Sequence, residues 1–93
     1  METDQALKIL RMKTGAFILR QAAGSYWLLD IRQPGYPYRP PLKLNESGAE
    51  IWRMLCEGKT AEEMASRLSA DEAQAEDVRE DLHAFLGEML RAL

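Results

Sequence analysis

One cysteine, one histidine and no apolar run longer than four residues set the first limits on this chain. A lone Cys56 cannot close an internal disulfide, which excludes a stapled secreted scaffold. Together with His83 it also falls short of a zinc constellation. The longest apolar stretches are Ala16 to Leu19 and Tyr26 to Leu29, whereas a spanning helix needs about 20 residues. Glycines stand singly at 15, 24, 35, 48, 58 and 87, so no glycine-rich loop is available to cradle a phosphate. The start, Met-Glu-Thr-Asp-Gln, lacks the basic and apolar regions of a signal peptide, and the expected compartment is the cytoplasm.

What is present is one domain's worth of chain. The 93 residues, 46% of them hydrophobic and 29% charged, suit a single folded unit over 1–93. A chain this short buries roughly 60 to 65% of its unfolded surface, so the core is small. That excludes an active site built between two domains. Charge is divided unevenly. Residues 1–44 hold Lys8, Arg11, Lys13, Arg20, Arg32, Arg39 and Lys43 against Glu2, Asp4 and Asp30, a balance of +4. Residues 45–93 therefore carry −7 of the net −3.

Local patterning changes at the same place. Residues 16–21 and 26–31 are rich in aromatic and β-branched side chains around Ala22-Ala23-Gly24-Ser25, which predicts a β-hairpin. Leu7 to Met12 is read as extended structure preceding it. All four prolines fall between Pro34 and Pro41, a stretch that cannot be helix or central strand and reads as a stiff surface loop. Leu42-Lys43-Leu44 is then a short third strand at a sheet edge. From Asn45 the period is helical. Asn45 caps a first helix with Ala49, Ile51, Trp52 and Leu55 on one face, and Gly58 ends it in the left-handed conformation. Thr60 to Glu63 has capping-box spacing before a second, short helix with Met64, Ala65 and Leu68 inward. A third helix, from about Asp71 or Gln74 to Ala92, carries the stripe Val78, Leu82, Phe85, Leu86, Met89, Leu90 and Leu93. The expected fold is α+β in the order βββααα, strand-rich over 7–44 and helical over 45–92.

Bond chemistry has few candidates. His83 reads as a solvent-facing helix residue, and Cys56, with no basic neighbour in sequence, as a small semi-buried hydrophobe. The paired acids 62–63, 71–72, 76–77 and 80–81 suit caps, helix dipoles and solubility. No catalytic residue, metal or cofactor is expected, and the chain is read as no enzyme. A hairpin with three helices is also the inventory of a winged-helix DNA-binding protein. Against this, residues 57–81 carry nine acids and only Lys59, Arg67 and Arg79, a balance that repels phosphate. No nucleic-acid or membrane partner is expected. What remains is an interaction module. An open edge at Leu42 to Leu44 is a template for another strand, and the third helix beside it would supply apolar anchors from Leu82, Phe85, Leu86 and Met89. On periodicity alone, filling the core is the stronger reading of each of these helix residues. A self-associating assembly domain, monomer or weak dimer, uses the same open edge.

Three segments carry a resemblance. Leu44-Asn45-Glu46-Ser47-Gly48-Ala49-Glu50-Ile51-Trp52, Gly58-Lys59-Thr60 before a short helix, and Asp81-Leu82-His83-Ala84-Phe85-Leu86 near the C-terminus together resemble the PqqD family, over about residues 16–91. That family comprises recognition elements for the precursors of ribosomally made, post-translationally modified peptides. The resemblance implies a winged-helix-like fold without catalytic activity: a peptide chaperone that binds a precursor's leader and presents it to a modifying enzyme. It implies the leader as an extra strand on Leu42, Lys43 and Leu44, beside Asp81, Leu82, Phe85 and Met89 of the third helix. A radical S-adenosylmethionine enzyme as partner follows from the resemblance alone. Ser47 stands where the family often has Thr. The segment after Leu68 lacks an aromatic–acidic pair, and no Gly-Leu follows the last helix. Quinone-cofactor synthesis and another modified-peptide pathway thus both stay open. The acidic skin of the third helix further suggests a leader bearing Lys or Arg.

Overall fold

The computed structural model describes residues 2–32, 40–69 and 72–93, with side chains throughout except at 72–75. Among the described residues, four α-helices and three strands follow in the order α1 (Thr3–Arg11), β1 (Phe17–Ala22), β2 (Ser25–Asp30), β3 (Leu42–Leu44), α2 (Glu46–Cys56), α3 (Ala61–Leu68) and α4 (Glu72–Ala92). A 3-10 turn, Thr14–Ala16, links α1 to β1. The class is α+β, with a three-stranded antiparallel sheet in the order β1-β2-β3. The proline-bearing loop lies, from Gln33 to Arg39, outside the described residues, as do Ala70 and Asp71 of the turn expected before the last helix.

The first element departs from expectation. Residues 7–12 are not extended: Leu7 to Arg11 belong to α1, so a helix precedes the βββααα series. The physical reason is the spacing of Ala6, Leu7 and Leu10, which puts all three on one helical face, each no more than 3% exposed. That face rests chiefly on α4, with smaller contacts to α2 and α3. A bond of 2.7 Å between Thr3 Oγ1 and His83 Nδ1 adds a polar tie across the α1–α4 seam.

The hairpin is tighter than its sequence suggests. Its strands run one residue further at the turn on each side, leaving only Ala23 and Gly24 between them. Both have positive φ, 53° and 78°, the backbone that matches the twist of a two-residue hairpin. Register then follows: Leu19 faces Leu28, Gln21 faces Tyr26, and on the other side Leu42 faces Leu28 and Leu44 faces Tyr26. Phe17, Leu19, Tyr26, Leu28, Leu42 and Leu44 thereby point to the helices and join the core.

Helices α2 and α3 begin where their caps dictate. Asn45 Oδ1 accepts a hydrogen bond from the Gly48 N–H at 2.7 Å, fixing the start of α2. Gly58 has φ 81° just past its end. At α3 the capping box is complete: the Glu63 N–H donates to Thr60 Oγ1 and the Thr60 N–H to Glu63 Oε1, both at 3.1 Å. Along α4 the apolar stripe divides. Leu82, Leu86, Met89 and Leu93 are buried, while Val78, Phe85 and Leu90 are half-buried on its flanks. Trp52 of α2 sits in the core at 2% exposure, edge-on to Phe17 with ring centres 6.4 Å apart.

Candidate functional site

A cleft of about 360 Å³ opens where the N-terminal turn of α2 approaches α4. Asn45, Ser47, Gly48 and Ile51 form one wall, Val78, Asp81, Leu82 and Phe85 the other, and Leu68 at the end of α3 closes one end. Its apolar lining comes from Ile51, Leu68, Val78, Leu82 and Phe85, and its polar groups from Asn45, Ser47 and Asp81. On α4 the contributing positions are i, i+3, i+4 and i+7, a single helix face. Leu82 is almost wholly buried, and Phe85 packs partly against the core. Val78 is half-buried yet belongs to no core contact, so its side chain is offered to the cleft.

The close approach of α2 to α4 depends on a glycine. A Cβ on Gly48 would stand 3.0 Å from Phe85 Cζ and 3.1 Å from Asn45 Oδ1. Gly48 therefore lets the Phe85 ring lie against the first turn of α2 while Asn45 caps it. Arg67 of α3 reaches Glu50 of α2 at 3.1 Å. That exposed pair contributes little stability by itself, but it links the elements that carry Leu68 and Ile51.

The expected site residues divide as follows. Asp81, Leu82 and Phe85 come together at the cleft, whereas Met89 is buried at 2% exposure and does not line it. Of β3, Leu44 is buried, Leu42 is half-buried against the core, and Lys43 is exposed on the opposite face of the sheet. The cleft starts one residue beyond that strand, at Asn45. β3 pairs with β2 alone among the described residues, so its far side is an open edge. Sequence reasoning missed the cleft roles of Asn45, Ser47, Ile51, Leu68 and Val78. For Val78 a signal was present, since it lies three, four and seven residues before Asp81, Leu82 and Phe85. For the α2 residues there was none, because only the crossing with α4 brings them there.

The remaining reactive groups stand apart. Cys56 is exposed rather than semi-buried, because it follows Leu55 around α2 onto the solvent side. Local desolvation and then the neighbouring Glu57 raise its thiol pKa, which disfavours the nucleophilic thiolate. His83 is exposed. Among the described residues no three His, Cys, Asp or Glu side chains converge to hold a metal ion, and no helix is long and apolar enough to cross a membrane. The site offers shape, apolar surface and an open strand edge.

No curated protein and no solved structure matches the chain. The sequence model of one family, Coenzyme PQQ synthesis protein D (PqqD), matches residues 26–92, from the second strand through the last helix and so across every residue of the cleft. By that match, the chain belongs to the PqqD family.

Proposed function

We propose that this chain is a non-catalytic peptide-binding protein. It takes the leader of a ribosomally made precursor as a fourth strand on the open edge of β3, sets leader side chains in the α2–α4 cleft, and presents the peptide to a modifying enzyme. The observation that carries this reading is the placement of an apolar cleft immediately past a strand that, among the described residues, pairs on one side only. Main-chain bonds to three strand residues contribute only about 0.5 to 1.5 kcal/mol each. Side chains seated in the cleft supply the rest, as in other strand-addition complexes. The family's part in coenzyme PQQ synthesis supports the assignment, since its members are accessory proteins working with a precursor peptide and a partner enzyme. The winged-helix-like arrangement and a radical S-adenosylmethionine enzyme as partner belong to the same reading. Asp81 at the cleft favours a leader with a Lys or Arg beside its apolar anchors, so affinity falls as salt rises.

The test is an amide NMR titration of the full chain with the leader of a small peptide encoded beside its gene. Shifts are expected at Lys43 and Leu44 and from Asp81 to Met89. Val78→Ser, which removes no core contact, is expected to weaken binding roughly tenfold while the spectrum stays dispersed. Unchanged affinity in that variant, or shifts confined to α1 and β1, would refute the proposal.

A further inference from the structure

The side of the sheet turned away from the helices has the wrong composition for a surface that meets only water. Antiparallel sheets with one packed face place polar residues on the other. Here the outward positions form three rows across the strands, Ala22 with Ser25 at the turn and two larger rows beyond it. Ile18 faces Leu29 in one, and Arg20, Trp27 and Lys43 stand side by side in the other. Ile31, 50% exposed, follows two residues after Leu29, just past the end of β2. Neither Ile18, Trp27 nor Leu29 packs against the core. Lys43 Nζ lies 6.0 Å from the centre of the Trp27 ring. No carboxylate points outward from the three strands, and among the described residues neither Arg20 nor Lys43 is in an ion pair.

We infer that this face docks a protein surface with an apolar centre and an acidic rim, and that its occupant is the enzyme that receives the bound peptide. The inference rests on the peptide-binding reading above. Charge selects the occupant's chemistry: two cations that are in no ion pair among the described residues flank an apolar centre on a chain whose helical half is acidic. A two-fold pairing of this face with itself would set cations against cations, which disfavours a second copy. Geometry selects the enzyme. A strand added at β3 continues the sheet and turns every second side chain to this same face. A body resting on the sheet would therefore touch the protein and its peptide together. Three strands offer an area of only roughly 300 Å² at ordinary strand spacing, well under the about 800 Å² per partner of a stable interface. The enzyme thus binds the free protein weakly and the peptide-loaded protein more tightly.

The experiment uses the isotopically labelled full chain and the purified modifying enzyme encoded beside its gene, with and without leader peptide. Line broadening is expected at Ile18, Arg20, Trp27, Leu29 and Lys43, with higher enzyme affinity when the leader is present. Arg20→Glu and Ile18→Ser, both on β1 and away from the cleft, should each weaken enzyme binding roughly tenfold, and Arg20→Lys should restore it. Leader-induced shifts should be the same in all three variants. Three results would overturn the inference: unchanged enzyme affinity in both disruptive variants, broadening confined to the helices, or no enzyme binding to the leader-loaded wild type. Binding of duplex DNA or of anionic vesicles that Arg20→Glu abolishes would reassign the face and overturn it as well. Enzyme docking on this face without any leader shift would sink the peptide reading alone.

Discussion

Gly48 and Ala23 are the two positions where one backbone or side-chain atom decides what surrounds it. At Gly48 any larger side chain must push the Phe85 ring out of its place against α2, or break the Asn45 cap. Gly48→Val is expected to cost about 1 to 3 kcal/mol in denaturant unfolding, the usual penalty of overpacking a close contact. It should also distort the cleft, so that leader affinity falls in the folded fraction. Ala23 presents the opposite case. Its φ of 53° is one that alanine adopts at a cost and asparagine readily. Ala23→Asn is expected to stabilise the domain by about 0.5 to 1 kcal/mol, read as a higher denaturant midpoint with an unchanged slope.

Helices α2 and α3 are fixed at their starts by side chains that the chain carries locally, and α3 shows a consequence for pH. The Thr60 backbone N–H, then the Thr60 side chain, hold the Glu63 carboxyl below its ordinary pKa. A carboxylate whose folded pKa is depressed stabilises the fold above its unfolded pKa and loses that contribution as pH falls through the folded one. Acid should therefore loosen α3 in the range just below the usual carboxylate pKa. Glu63→Gln, which can still accept from Thr60, is expected to flatten this part of the stability–pH curve, measured by unfolding at several pH values. A curve of unchanged slope would count against the box as its source. On α4 the division of the apolar stripe is equally an element property. One flank faces α2 across the cleft, the other meets α1, and the centre fills the core.

Across the whole molecule, α1 and β1 both lie outside the family match, which begins at Tyr26. Helix α1 nonetheless supplies Ala6, Leu7 and Leu10 to the common core, Leu10 with no exposed surface at all. Leu10→Ala is expected to cost about 2 to 5 kcal/mol in thermal or denaturant unfolding. Stability lost by less than about 1 kcal/mol would mean that α1 docks loosely. Because α1 covers the side of α4 near His83, Gly87 and Leu90, it leaves the Val78–Phe85 side free for the cleft. The basic sheet half and acidic helical half are likewise a whole-chain property, already visible in the charge count on either side of Leu44.

The sequence by itself determined what depends on near neighbours along the chain: the hairpin, the Asn45 cap, the Thr60–Glu63 box, the left-handed Gly58, and the short edge strand at Leu42 to Leu44. Such signals are local because a cap or a turn needs only three or four consecutive residues. The helical state of residues 7–11 was hidden because Ala6, Leu7 and Leu10 give too short a periodic run, and burial against α4 decides the matter. Tertiary structure alone decided which stripe residues face the cleft and which fill the core, separating Phe85 and Val78 from Met89. It also brought Asn45, Ser47 and Ile51 to the site. A helix presents several faces of similar polarity, and only the elements that pack against it determine which of them remains open.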